Sequence, residues 1–293
     1  MKFSSLTRLM LCLFSVATTN ATKSFSASNL YYAAGLTDGQ QTTLLNGLKS
    51  AGVKVLRAHD YGIKLLVSIH TYNALKKNSD FYRKWCGTGD FYTNSKAISH
   101  FKDRIAHVLA HKHTKTGKTW AQSTEYIFAF EALNEAMHPQ RNPQALTSWQ
   151  CTMAKSIKYN LNGNSKILVT TGGGAYLDNS LLDAYFTCDS LDVLAIHAYG
   201  VADLTTSRLQ PFVDKAKKAG KKLIMQEWVP KWAANIDAAG IPWFYWQILP
   251  NADPHQGWDY EVGIKDANWD TLKAAGLAAG KAESAFDFSP YLL

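Results

Sequence analysis

Several things are missing from this 293-residue sequence, and each absence narrows what it can be. It has no internal repeat and no Pro/Ser-rich linker, which leaves no basis for a repeat array or a second domain. The N-terminal apolar run, Leu9 to Val16, is too short to span a bilayer, so no membrane anchor is expected. The glycine run Thr171-Gly172-Gly173-Gly174 follows a strand but lacks the lysine and spacing of a phosphate loop, and reads as a tight turn. Cysteine is scarce, with four residues, and only one Asn-X-Ser/Thr sequon occurs, at Asn20-Ala21-Thr22. Charged residues make up only 18% of the chain against 46% hydrophobic, a balance that does not indicate disorder and permits a large core.

What is present starts with a secretory pattern. Lys2 and Arg8 form a basic head, Leu9 to Val16 an apolar stretch, and small residues run from Ala17 to Ala21. The expectation is a signal peptide over residues 1–21 and a single catalytic domain over 22–293. Removing Lys2 and Arg8 lowers the formal charge from +8 to +6, which reads as a solvated surface. Cleavage also removes Cys12 and leaves Cys86, Cys151 and Cys188, an odd number in a secreted chain. Cys151–Cys188 is the expected disulfide, with Cys86 left over. The sequon straddles the cleavage region, so glycosylation is not expected.

Apolar runs alternate with helical patterns along the whole length. Strands are expected at Asn29–Gly35, Val53–Arg57, Ile63–Ile69, Tyr126–Phe130, Lys166–Thr171, Leu191–His197, Lys222–Glu227 and Trp243–Ile248. Helices are expected near Gln40–Ser50, Ser95–His111, Pro143–Asn160, Asn179–Tyr185, Ser207–Ala219, Lys231–Ala239 and Trp269–Ala279. Eight alternating strands argue for an α/β chain closed into a (β/α)8 TIM barrel.

One crossover does not fit. Only Ala58-His59-Asp60-Tyr61-Gly62 separates Arg57 from Ile63, whereas a parallel crossover takes about a dozen residues. Those five residues themselves resemble the end of a helix with its glycine. Most of the helix between strands two and three is therefore expected to be absent, through a skipped exon or a genuine truncation at the Arg57–Ala58 junction.

Polar and aromatic residues gather at the strand ends, where a barrel collects chemistry on one rim. Asn134-Glu135 follows the fourth strand and Glu227 ends the seventh; two glutamates on separate strands are the minimum equipment for glycoside hydrolysis. Arg57, His70, His197-Ala198-Tyr199 and Trp246 occupy other strand ends. Taken as an ordered set, Val55-Leu56-Arg57, Ser68-Ile69-His70, Leu133-Asn134-Glu135, Ile196-His197-Ala198-Tyr199, Gln226-Glu227-Trp228 and Tyr245-Trp246 resemble glycoside hydrolase family 5, the cellulase/mannanase family of retaining barrels.

The resemblance runs from about Asn29 to Ala279 and implies roles. Glu135 would be the acid/base and Glu227 the nucleophile. Tyr199 and Arg57 would hold the nucleophile, and Asn134 would bind the sugar 2-hydroxyl. His70 and His197 would bound the reacting subsite, and Trp246 would be its stacking floor. Glu135 should carry a raised pKa while Glu227 stays ionised. Plainer readings stand beside these: a core role for His70 or Trp246, a structural ion pair for Arg57, a structural partner role for Glu131, and a solvated cluster for His111-Lys112-His113.

The expected function is a secreted, extracellular, retaining endo-β-glycanase, with β-mannan favoured over β-glucan or cellulose. No metal or cofactor is expected. Its partner would be a polysaccharide, not nucleic acid or membrane, and the protein would be a monomer. The alternative is an inactive or glycan-binding-only truncated barrel whose second and third strands could not pair in parallel.

Overall fold

The computed structural model describes residues 22–30, 35–56, 63–77, 80–82, 84, 86, 91–137, 142–228, 232–250 and 260–293. The expected signal peptide, Arg57 and the junction that follows it lie outside these residues. Strand β1 (Ser26–Ser28) leads into α1 (Asp38–Ser50) and β2 (Leu65–Ser68). After the short α2 (Tyr72–Leu75) and the long α3 (Ser95–Ala110) come β3 (Ile127–Asn134), α4 (Pro143–Asn160) and β4 (Leu168–Gly172). Two single-turn helices, α5 (Leu177–Ser180) and α6 (Asp183–Phe186), precede β5 (Val193–Ala198), α7 (Thr206–Lys218) and β6 (Lys222–Trp228). The chain continues with α8 (Ala233–Ala238), β7 (Trp243–Tyr245), a small β8 (Ile248–Leu249)/β9 (Val262–Gly263) pair and α9 (Trp269–Ala279).

Local sequence accounts for most of these boundaries. Thr37 and Gln40 form a capping box on α1, whose buried face includes Leu44, Leu45 and Leu48. The Asn94 and Asn142 side chains accept from Ala97 and Ala145 at the starts of α3 and α4. Strand β3 is buried at every position but its last, as a strand covered on both faces must be.

Seven strands form one parallel sheet in the order β1-β7-β6-β5-β4-β3-β2. Its two edges meet at Val55, which forms parallel bridges with Ala27 on one side and Lys64 on the other. Lys54 donates to Ser26 O at 3.0 Å, Lys64 donates to Lys54 O at 2.9 Å, and Leu56 donates to Lys64 O. The expected second strand is thus reduced to the neighbourhood of Val55, yet it pairs in parallel with both neighbours. This corrects the expectation that strands two and three would be unable to do so. Among the described residues no helix lies between Ser50 and Leu65; the crossover residues themselves, 57–62, lie outside those described.

The first strand also needs correction: among the described residues it falls at Ser26–Ser28, and Asn29, Leu30 and Gly35 are not in a strand, while residues 31–34 of the expected span lie outside the described residues. Its Ser-Ala-Ser sequence has no apolar run to betray it. Pairing with Trp243 to Tyr245 places it, with Asn29 N–H donating to Tyr245 O at 3.0 Å. Small side chains are required at this point because α9 packs close, and a Cβ on Gly276 would meet Ala51 O at 2.6 Å and Ser26 Oγ at 3.1 Å.

Below the rim the interior is filled with aromatic rings. Phe25 packs on Phe128, Phe244 and Phe288 at centroid distances of 5.8, 6.2 and 5.5 Å, mostly edge to face. A second cluster of Phe91, Phe101 and Trp149 binds α3 to α4, with centroids 5.1–5.8 Å apart.

Cys151 on α4 is bonded to Cys188 just beyond α6, and Cys86 is outside any disulfide, both as expected. The bridge closes a sequence separation of 37 residues, which a chain-entropy argument values at about 4 kcal/mol. Replacing both partners by serine should lower the unfolding free energy by about 2–4 kcal/mol. Denaturant melts of the variant and of the oxidised parent measure that loss.

Candidate active site

Strand β3 runs without interruption from the apolar Ile127 to the polar Asn134, so its end delivers Asn134 and Glu135 to the rim. Asn134 N–H donates to His70 O and Glu135 N–H donates to Gly172 O, each at 2.8 Å. These bonds tie the end of β3 to both neighbouring strands. Glu135 is held at φ 51°, the left-handed region that a non-glycine residue enters at a cost of the order of 1 kcal/mol. Gly172 permits the approach, since a Cβ there would lie 2.1 Å from Leu133 O.

Strands β5 and β6 bring up the other half. Register pairs His197 with Glu227. His197 is fully buried, and its Nδ1 lies 3.4 Å from Glu135 Oε1 and 3.3 Å from Glu227 Oε2. One oxygen from each carboxylate and one imidazole nitrogen lie within 4.8 Å of one another. That spacing would admit a cation only if His197 first gave up its proton. Tyr199 O–H donates to Glu227 Oε2.

A cavity of about 650 Å³ opens above this cluster and is lined by His70, Asn134, Glu135, Tyr199, Glu227 and Trp246 among others. Six of the eight residues singled out in the sequence therefore converge on one space. Of the other two, Arg57 lies outside the described residues. His197 does not bound the cavity as expected: with no exposed surface, it sits beneath the two carboxylates and acts on them from below.

The charges within the cluster are interdependent. Burial alone would lower His197, but the two carboxylates outweigh it and raise its pKa to about 9. Burial pushes Glu227 up to about 7, with help from Glu135 and against the pull of His197 and Tyr199. Burial would raise Glu135 too, but the hydrogen bond and charge of His197, together with Lys76, hold it below the usual carboxylate value. This order is the reverse of the sequence expectation. The physical reason is depth, since the Glu227 side chain is 5% exposed and that of Glu135 13%. Two carboxylates around one imidazolium titrate as a unit, in which Glu227 holds a proton more readily than Glu135.

Sequence reasoning missed several participants. Asp80 Oδ2 lies 3.2 Å from His70 Nε2 and fixes that ring. Burial keeps His70 below the ordinary imidazole value, with Arg104 adding to the effect and Asp80 opposing it. Gln226 lies between His197 and Glu131, and Asn29 donates to Gln226 O at 2.7 Å. The sequence-visible signal was a polar Gln-Glu pair at the end of an otherwise apolar strand.

No family model matches this chain. Solved structures do resemble it. The endo-1,4-beta-mannanase of Rhizomucor miehei superposes with a TM-score of 0.74 at 18% identity, covering 90% of this chain and 99% of that one. The endo-beta-1,4-mannanase of Thermotoga petrophila gives 0.72 at 16% identity, covering 89% and 78%. A glycoside hydrolase family 5 mannosidase of Rhizomucor miehei gives 0.60 at 13% identity, covering 89% and 95%. The architecture is thus the (β/α)8 fold of glycoside hydrolase family 5 enzymes, the group that the sequence resembles. In sequence, 115 residues are 31% identical to mannan endo-1,4-beta-mannosidase 1 of Arabidopsis thaliana, covering 36% of this chain. The matched region spans about a quarter of that relative's length (26%).

Tyr199→Phe removes the O–H donated to the Glu227 carboxylate and should raise the Glu227 pKa above about 7. Carboxyl-carbon NMR of the glutamates across pH 4–9 reads the change directly; an unmoved Glu227 would contradict the geometry.

Proposed function

We propose that this protein is a retaining glycoside hydrolase that cleaves internal β-linkages of a polysaccharide, β-mannan foremost and β-1,4-glucan next. The observation that carries the reading is the pair Glu135 and Glu227, on separate strand ends, with carboxylate oxygens within 4.8 Å at the bottom of the cavity. Such closeness suits the retaining arrangement, in which carboxyl groups about 5–5.5 Å apart leave no room for water between enzyme and sugar. An inverting pair stands about 6.5–9.5 Å apart.

In this mechanism Glu227 attacks the anomeric carbon while Glu135 gives its proton to the departing glycosidic oxygen. The C–O bond to the leaving sugar breaks as the ester to Glu227 forms. Glu135, now ionised, takes a proton from water, whose oxygen attacks the same carbon and releases Glu227. The pair must therefore begin with one proton, on Glu135, and end with it. In the free site burial favours a proton on Glu227, while His197 and Lys76 disfavour one on Glu135. Substrate that buries Glu135 and orders the glycosidic oxygen favours proton transfer to Glu135.

Asn134 would bind the sugar 2-hydroxyl, Trp246 would stack beneath the ring, and Arg57, with Tyr199, would hold Glu227. Similarity to mannanases in fold, and to one over 115 residues of sequence, supports β-mannan as the first substrate to try. Residues 22–293 would act as one catalytic domain, secreted behind residues 1–21 as a monomer, with no metal in its chemistry.

Reducing-sugar release from β-mannan and from a β-1,4-glucan tests the proposal. Glu227→Gln should abolish release while leaving the fold intact. A folded parent that is inert on both polymers would refute the catalytic reading. The proton count also sets the pH dependence of kcat/KM. The active pair is lost as pH rises through about 7, where the shared proton leaves, and again below the usual glutamate range, where Glu135 takes up a second. Chelators should leave the rate unchanged.

A further inference from the structure

We propose that Glu131 and Gln226 are positioning residues that decide which edge of the His197 ring faces Glu135 and Glu227; the inference rests on the glycosidase reading of this site. A carboxylate can only accept hydrogen bonds. Gln226 Nε2 donates to Glu131 Oε2 at 2.6 Å, so the amide has one permitted orientation. Its oxygen then faces His197 Nε2 at 3.1 Å and accepts the proton on that nitrogen. The opposite edge of the ring, with Nδ1, is thereby aimed between the two carboxylates.

Packing removes the other freedoms of the ring. Gly173 lies against it so closely that a Cβ there would come within 2.2 Å of Cδ2 and 2.6 Å of Nε2. The His197 main-chain N–H donates to Ser180 Oγ at 3.1 Å. The motion left is a half-turn about the Cβ–Cγ bond, which would place carbon where each nitrogen now stands. The flipped ring would lose the hydrogen bond to Gln226 together with the Nδ1 contacts to Glu135 and Glu227, and among the described residues it is Glu131 that holds Gln226 in the accepting orientation. Both residues come from the same two strands as the catalytic glutamates, four positions before Glu135 and one before Glu227. Position and partner are thus both carried by strands β3 and β6.

Glu131→Gln keeps the size of the side chain but lets both amides turn over. The expected result is a fall in kcat of about 10- to 100-fold, the scale of a misaligned catalytic group, with KM changed less than about two-fold. The low-field imidazole N–H signal in the proton NMR spectrum, assigned by its loss in His197→Gln, should move or vanish in unliganded Glu131→Gln. The exchanged pair Glu131→Gln with Gln226→Glu restores an acceptor toward His197 and should recover most of the lost kcat. An unchanged kcat, or an unmoved imidazole signal, overturns the proposal. If Glu131→Gln does not fold, the exchanged pair decides: a folded protein that stays below a hundredth of the parent rate overturns it. Because the NMR readout needs no substrate, a parent inert on every β-glycan would refute the glycosidase reading separately.

Discussion

The arrangement of the rim depends on one buried charge. Two carboxylates with oxygens within 4.8 Å repel by roughly 3 kcal/mol at the effective dielectric of about 20 that suits such sites. Burial adds to the cost of ionising either one. The His197 imidazole, fully enclosed and within 3.4 Å of both, supplies the compensating positive charge. Without it both carboxylates would hold their protons to higher pH. An imidazolium in that position would in turn be untenable without the two carboxylates that stabilise it.

Strand geometry makes this compensation possible. The pairing of β5 with β6 sets His197 opposite Glu227, and the close contact of β3 with Gly172 turns Glu135 back over the same spot. Two adjacent glycines have distinct duties. Gly172 lets one strand end approach another, and Gly173 gives a ring a bare backbone to lie against. Their neighbours on β4, including Thr170 and Thr171, are buried and positional, and Thr171 Oγ1 accepts from Ala195 N–H at 2.8 Å. The run Thr171–Gly174, unusable as a phosphate loop, packs against the end of β3 and the His197 ring.

The shortened crossover after the second strand does not prevent the ring from meeting. Among the described residues Val55 alone bridges both sheet edges, and backbone hydrogen bonds from Lys54, Leu56 and Lys64 flank it. A parallel pairing needs a connection long enough to return the chain to the start of the next strand. A strand this short needs little return. The rim at β3, β5 and β6 lies on other strands of the sheet, which is how the cluster of Glu135, His197 and Glu227 assembles beside a reduced neighbour.

Much of this was legible in the chain. Largely apolar runs marked β3, β5 and β6, because strands buried on both faces admit few polar residues before the rim. The polar residues that close or follow those strands, Asn134 and Glu135, Tyr199, and Glu227, are the ones that line the cavity. Helix α4 was readable to the residue, since Asn142 and Pro143 announce its start. Strand β1 was not, because its Ser-Ala-Ser sequence answers to the closeness of α9 and not to any local preference. The reversed order of the two glutamates was equally hidden, since a pKa reports depth and neighbouring charge and neither is written in a residue's own surroundings along the chain. Sequence determined which side chains arrive at the rim, through periodicity and the limits of apolar runs. Only the tertiary structure decided which of them touch, because strand register and the close approach of bare glycine backbone act between segments far apart in the chain.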